Sequence, residues 1–180
     1  MVRARPGRAP DLAALSPNPA MPNLPPDLDL DPDTRLRAEL VALLRGGQAH
    51  LDAAAVLEGI PPARVNERVA AHSLWDLLEH LRRTQADILE FCRPGYTDKA
   101  WPDDYWPASP ARPSDWEASR FQFVEDLDAL LELAETGDLF AEFDWAPGYT
   151  LLRELLLVAD HNSHHLGQIL TLRRHLGLWG

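Results

Sequence analysis

Apolar residues recur at helical spacing in four separate stretches of the chain. The first, residues 33–45, carries Leu36, Leu40, Val41, Leu43 and Leu44, with Arg35, Arg37 and Glu39 between them. That three-and-four spacing predicts a helix with one buried face, opened by Asp31 or Asp33 and stopped by Gly46-Gly47. Residues 51–57 read as a short helical turn closed by Gly59 and Pro61-Pro62. In the second long helix, Ser73 precedes Asp76 by three residues, a relative of the capping box. Leu74, Leu78, Leu81, Gln85, Ile88 and Cys92 then share a face, and the helix ends near Arg93, before Pro94-Gly95. A third stripe begins at Ser114 or Asp115 and holds Trp116, Phe123, Leu127, Leu130, Leu131 and Ala134, ended by Gly137. The last helix, residues 149–175, shows Leu151, Leu155, Val158, Asn162, Ile169, Leu172 and Leu176, with Gly177 as its stop.

No stretch alternates as a strand does. Four amphipathic helices in one chain bury their apolar faces most simply in an all-α four-helix bundle. Two connections are uneven. Residues 94–115 contain five prolines together with Trp101, Tyr105 and Trp106, a long loop aromatic enough to pack against the bundle. A shorter link contains Trp145 and Pro147-Gly148.

Composition adds boundaries. The chain has 180 residues, enough for one domain with its own core. Eight of its sixteen prolines fall in residues 1–32, a density that denies the backbone its helix and sheet hydrogen bonds. Residues 1–32 are therefore expected to form a disordered proline-rich arm, and residues 33–180 the folded domain. Arg3, Arg5 and Arg8 precede a short apolar run, but Asp11 interrupts it, and an export signal is rejected. Met21 offers an alternative start. The net charge of −11 and the lack of a basic, aromatic-interleaved surface argue against nucleic acid. No apolar run is long enough to cross a membrane. The single cysteine, Cys92, rules out an intrachain disulfide and suits a reducing, cytoplasmic setting.

The seven histidines carry the chemistry. His161 and His165 are one turn apart on the last helix, near Val158, Ile169 and Leu172. His80 flanks the stripe of the second long helix, and the bundle can bring all three together. Three imidazoles suit a divalent ion such as zinc, nickel or iron, and fewer than four protein donors is the pattern of catalytic sites. The spacing alone leaves a second reading open, in which these histidines are packed core residues. His164 is the second-choice ligand, while His50, His72 and His175 read as bystanders. Asn162 and Gln168 are candidates for holding the imidazoles or touching a substrate. Asp76 and Glu79 could orient His80, but Glu79 points away from the stripe. Cys92 is twelve residues beyond His80, roughly 18 Å along the helix, and reads as core.

The segment His72-Ser73-Leu74-Trp75-Asp76-Leu77-Leu78-Glu79-His80-Leu81 resembles the start of the second helix in the DinB-like (DinB/YfiT) superfamily of metalloproteins. Asp160-His161-Asn162-Ser163-His164-His165-Leu166-Gly167-Gln168-Ile169 resembles the last-helix signature of that superfamily. The resemblance implies an up-down-down-up bundle, a divalent metal on His80, His161 and His165, and often a homodimer. It departs at Leu166, where a basic residue is frequent. Some members are transferases that use low-molecular-weight thiols and others are hydrolase-like. The first expectation is thus a metal-dependent transferase activating a small thiol. A metal-dependent hydrolase and a non-catalytic metal-binding or interaction bundle are the alternatives. Tyr96, Trp101, Tyr105 and Trp106 could roof a pocket or merely cover an end of the bundle.

Overall fold

A computed structural model describes residues 31–179. The proline-rich arm expected from sequence, apart from its last residues, and the alternative start at Met21 lie outside the described residues. Four long helices dominate: α1 (Pro32–Arg45), α3 (Leu74–Phe91), α4 (Pro113–Thr136) and α5 (Leu151–His175), with the short α2 (Ala53–Leu57) after α1. Pro32, counted with the arm from sequence, is the first residue of α1. Its missing N–H suits that position, and the Asp31 carboxylate accepts from the backbone N–H groups of Asp33 and Thr34.

The sequence expectation of no strands is corrected by two small antiparallel hairpins. In one, β1 (Arg68–Val69) pairs with β2 (His72–Ser73); in the other, β3 (Glu142–Phe143) pairs with β4 (Ala146–Thr150). Runs this short carry no detectable alternation, and turn geometry rather than a hydrophobic face defines them. Each hairpin delivers the chain into a helix. Ser73 closes the first and caps α3 in a full capping box: its hydroxyl accepts from Asp76 N–H while Asp76 accepts from Ser73 N–H. Thr150 closes the second and caps α5 through Arg153 N–H.

α1 packs against α4 and α5, and α3 packs against the same two, so α1 and α3 occupy opposite corners. The core divides into two clusters. One gathers Val56, Leu74, Leu77, Leu78, Leu81, Trp116, Phe123, Leu166 and Ile169. The other gathers Leu40, Leu44, Ile88, Leu89, Leu130, Leu131, Leu155 and Val158. Between them in sequence order on α3 and α5 lie Gln85 and Asn162, both buried. Asn162 Nδ2 donates to Gln85 Oε1 at 2.7 Å, and Gln85 Nε2 donates to the Phe123 carbonyl at 2.7 Å. The polar positions that interrupt the two apolar stripes thus bond across three helices.

Candidate metal centre

His80 on α3 and His161 and His165 on α5 each offer one ligand atom, and the three atoms lie within 4.8 Å of one another. Their ring centroids are separated by 5.0, 4.7 and 4.5 Å. The helical repeat explains the pair on α5, and the packing of α3 on α5 supplies the third ring.

Each outer nitrogen shows how its ring is held. Nδ1 of His80 donates to the Tyr105 carbonyl at 3.1 Å, and the indole of Trp106 stacks on the imidazole at 4.0 Å with 1° between planes. Nδ1 of His165 donates to Oε1 of Gln168 at 2.7 Å. Both bonds leave Nε2 as the bare nitrogen. Nε2 of His161 lies 3.2 Å from Nε2 of His80. Nδ1 of His161 and Oδ1 of its neighbour Asn162 are buried without hydrogen-bond partners. Asn162 is nevertheless near enough to pull the His161 pKa upward, against the larger downward effects.

Those downward effects keep the imidazoles neutral. Burial, followed by the neighbouring His165 and His80, pushes His161 down to about 3. Burial also brings His165 down to about 4, although the Gln168 bond opposes it. His80 is lowered, chiefly by burial and against the Tyr105 hydrogen bond. Neutral imidazoles are the state that a cation requires. The donor set fits a borderline divalent ion. A cation on Nε2 of His161 would also leave its proton on Nδ1, which is buried without a partner.

Other sequence candidates fall elsewhere. His164 is exposed and outside the group of three, though its ring lies 4.8 Å from that of His165. His50 and His175 bond the carbonyls of Leu51 and Thr171. His72, read from sequence as a bystander, sits in β2 and stacks on Trp106 at 4.8 Å. Cys92 caps the C-terminal end of α3, half-buried, and burial pushes its thiol up to about 12. Leu166 is buried against the first cluster, so it serves packing.

The expectations for the two acids are corrected. Asp76 belongs to the capping box and an ion pair with Arg68. Glu79 does not point to solvent: it is 5% exposed and accepts from Arg82, Arg83 and Ser119. His80 is instead oriented by a main-chain carbonyl, which no side-chain pattern announces. Trp106 and Tyr105 come from the long loop for which a pocket roof and a cover over the bundle end were both open readings, while Trp101 is 70% exposed. Beside the site, a cleft of about 340 Å³ is lined by Val69, His72, Leu77, His164, Gln168 and Leu172, among others.

A family model described as the DinB superfamily matches residues 46–169. No curated protein matches the chain, and no solved structure does.

Proposed function

The chain belongs to the DinB superfamily, and from that premise we propose that it is a divalent-metal protein holding the ion on His80, His161 and His165 to activate a low-molecular-weight thiol for group transfer. The observation that carries this reading is the convergence of three neutral imidazoles from two helices, with the outer nitrogens of His80 and His165 already engaged. Gln168 and the Tyr105 carbonyl fix the protons of His165 and His80 on Nδ1, and Asn162 stands ready to accept from His161. Trp106 blocks one face of the His80 ring and limits its motion. When bound, the ion would supply Lewis acidity, and three donors are fewer than zinc takes, which leaves room for an exogenous anion such as a thiolate. His72, His164 and Gln168 line the neighbouring cleft, where they would bind and orient the remainder of a small substrate.

The up-down-down-up order belongs to the same proposal. In its support, α3 and α4 both run from the first core cluster to the second, and α5 runs the other way. A cytoplasmic homodimer is also part of the reading. Among the described residues, no helix is long and apolar enough to cross a membrane.

Metal analysis of untagged protein tests the centre. Stoichiometric zinc, nickel or iron that is lost in His161→Ala and His165→Ala supports it, and wild-type protein that refuses added Zn²⁺ and Ni²⁺ refutes it. Turnover of electrophiles only in the presence of a small thiol supports transfer. Thiol-independent hydrolysis would replace the transferase with the hydrolase.

A further inference from the structure

One face of α3 grips the connection to α4 at three successive turns. His80, Arg83 and Asp87 are three and four residues apart and form a single row along the helix. All three bond the segment Asp104-Tyr105-Trp106. His80 Nδ1 meets the Tyr105 carbonyl, and Asp87 Oδ2 accepts from the Tyr105 hydroxyl at 2.7 Å. Arg83 Nη1 donates to the carbonyls of Trp106 and Asp104 at 3.1 and 3.3 Å. Asp87 also accepts from Tyr96, further back in the same loop.

Arg83 is itself held. Its Nε donates to Glu79 Oε1 at 2.7 Å, and the Glu79 side chain is only 7% exposed. Ser119 of α4 donates to the other oxygen of the same carboxylate at 2.8 Å. A planar guanidinium can serve the carboxylate with one edge and two carbonyls with the other; an ammonium cannot span the same three acceptors at once. We infer that Arg83 is a positioning residue for His80: anchored by Glu79, it fixes the main chain on both sides of Tyr105, and that segment sets the tautomer and ring plane of the imidazole. The link to metal affinity rests on the metal reading above; the link to the His80 ring does not.

Arg82 provides the comparison. It also bonds Glu79, at 2.8 and 2.7 Å, but its bonds to that carboxylate do not extend to the loop. In Arg83→Gln, Glu79 keeps Arg82 and Ser119 as partners, so the buried carboxylate is not orphaned.

The test uses the full-length chain as wild type, Arg83→Gln, Arg83→Lys and Arg82→Gln, with folding checked by circular dichroism. In the metal-free proteins, ¹⁵N NMR reads the His80 tautomer and hydrogen exchange reads residues 100–108. Zinc affinity is measured by competition with a chelator. Arg83→Gln should show a mixture of His80 tautomers, faster exchange over 100–108, and zinc affinity lowered 10- to 100-fold, the usual cost of losing an outer partner of a metal ligand. Arg83→Lys should show the same changes to a smaller degree, and Arg82→Gln should stay close to wild type in all three. A wild-type tautomer and exchange pattern in Arg83→Gln, or equal changes in Arg82→Gln, would overturn the assignment. Wild-type protein that binds no zinc would overturn the metal reading alone, because the tautomer and exchange readouts still decide the role of Arg83.

Discussion

Nδ1 of His161 and Oδ1 of Asn162, a potential donor and an acceptor on adjacent residues, are both buried with no hydrogen-bond partner. An unpaired buried polar atom costs about 1–3 kcal/mol, so two on adjacent residues mark a centre whose protons are arranged for another state. In the metal-free centre, Nε2 of His80 is bare and His161 Nε2 is 3.2 Å from it, so the His161 proton belongs on Nε2. A cation there would displace it to Nδ1. The expected outcome is a tautomer change at His161 on adding zinc, seen by ¹⁵N NMR. Asn162→Ala should weaken zinc about 10-fold or more and destabilise the fold by about 1–3 kcal/mol, because Gln85 Oε1 loses its donor. An Nε2 proton that persists at His161 in the zinc-bound protein would exclude coordination through that atom.

Gln168 acts on the neighbouring ligand. Its Oε1 holds the His165 proton on Nδ1, and it opposes the fall in the His165 pKa. Gln168→Ala should lower metal affinity 10- to 100-fold with little change in the melting temperature of the metal-free protein, since the side chain is half-buried beside the cleft. Gln168→Glu restores an acceptor and should recover most of the affinity. Equal zinc affinities in Gln168→Ala and wild type would separate this residue from the centre.

The depressed pKa values give the metal-free protein a pH dependence of fixed sign. Imidazoles of the unfolded chain protonate near 6.5, whereas His165 and His161 in the fold wait until about 4 and about 3. Between those limits the unfolded chain binds more protons, so stability falls as pH falls. Thermal melts of the metal-free protein from pH 7 to pH 5 should drop more steeply for wild type than for His161→Leu, which has no proton to take up there. Parallel profiles would show that His161 titrates normally in the fold. Proton competition for the metal should set in only at lower pH, near 4 and below, where His165 and His161 of the folded protein take up protons on the same lone pairs.

The four long helices were legible because stripes such as Trp116, Phe123 and Leu130 report burial directly. His80, His161 and His165 were legible for a related reason: helical spacing and a facing stripe bring them together. The support around them was less so. The Tyr105 carbonyl that orients His80 belongs to the main chain and has no residue signature. Glu79 lies off the apolar stripe, and only the approach of Ser119 from α4, with Arg82 and Arg83, makes it a buried hub. The hairpins escaped because three of their strands have two residues and no period to detect, and the fourth, Ala146–Thr150, contains Pro147-Gly148, which reads as a link.

The turn of the first hairpin offers a stabilising change. Ala70 has φ 56°, the only positive value at a non-glycine residue among the described residues. A side chain in this left-handed region costs about 1–2 kcal/mol, part of which glycine gives back in unfolded-state entropy. Ala70→Gly should therefore stabilise the protein by about 0.5–1 kcal/mol. A lower melting temperature in that variant would contradict the strain.

Gly137 makes the opposite case, since its φ of −73° is open to any residue and yet the position has no room. A Cβ there would stand 2.7 Å from the Leu133 carbonyl oxygen and 2.3 Å from Cδ2 of Leu151. The first neighbour is main chain and cannot swing away; the second is a fully packed side chain at the start of α5. The glycine thus lets the end of α4 close against the beginning of α5, with Gly137 N–H bonded to Leu133 O and its own carbonyl accepting from Arg37 of α1. Gly137→Ala should cost about 1–3 kcal/mol by overpacking. Zinc affinity should hold, because Leu151 lies ten residues before His161, about 15 Å along α5. Chemical denaturation and a zinc titration on the same preparation check both halves, and unchanged stability would mean that α4 and α5 can part at this point without loss.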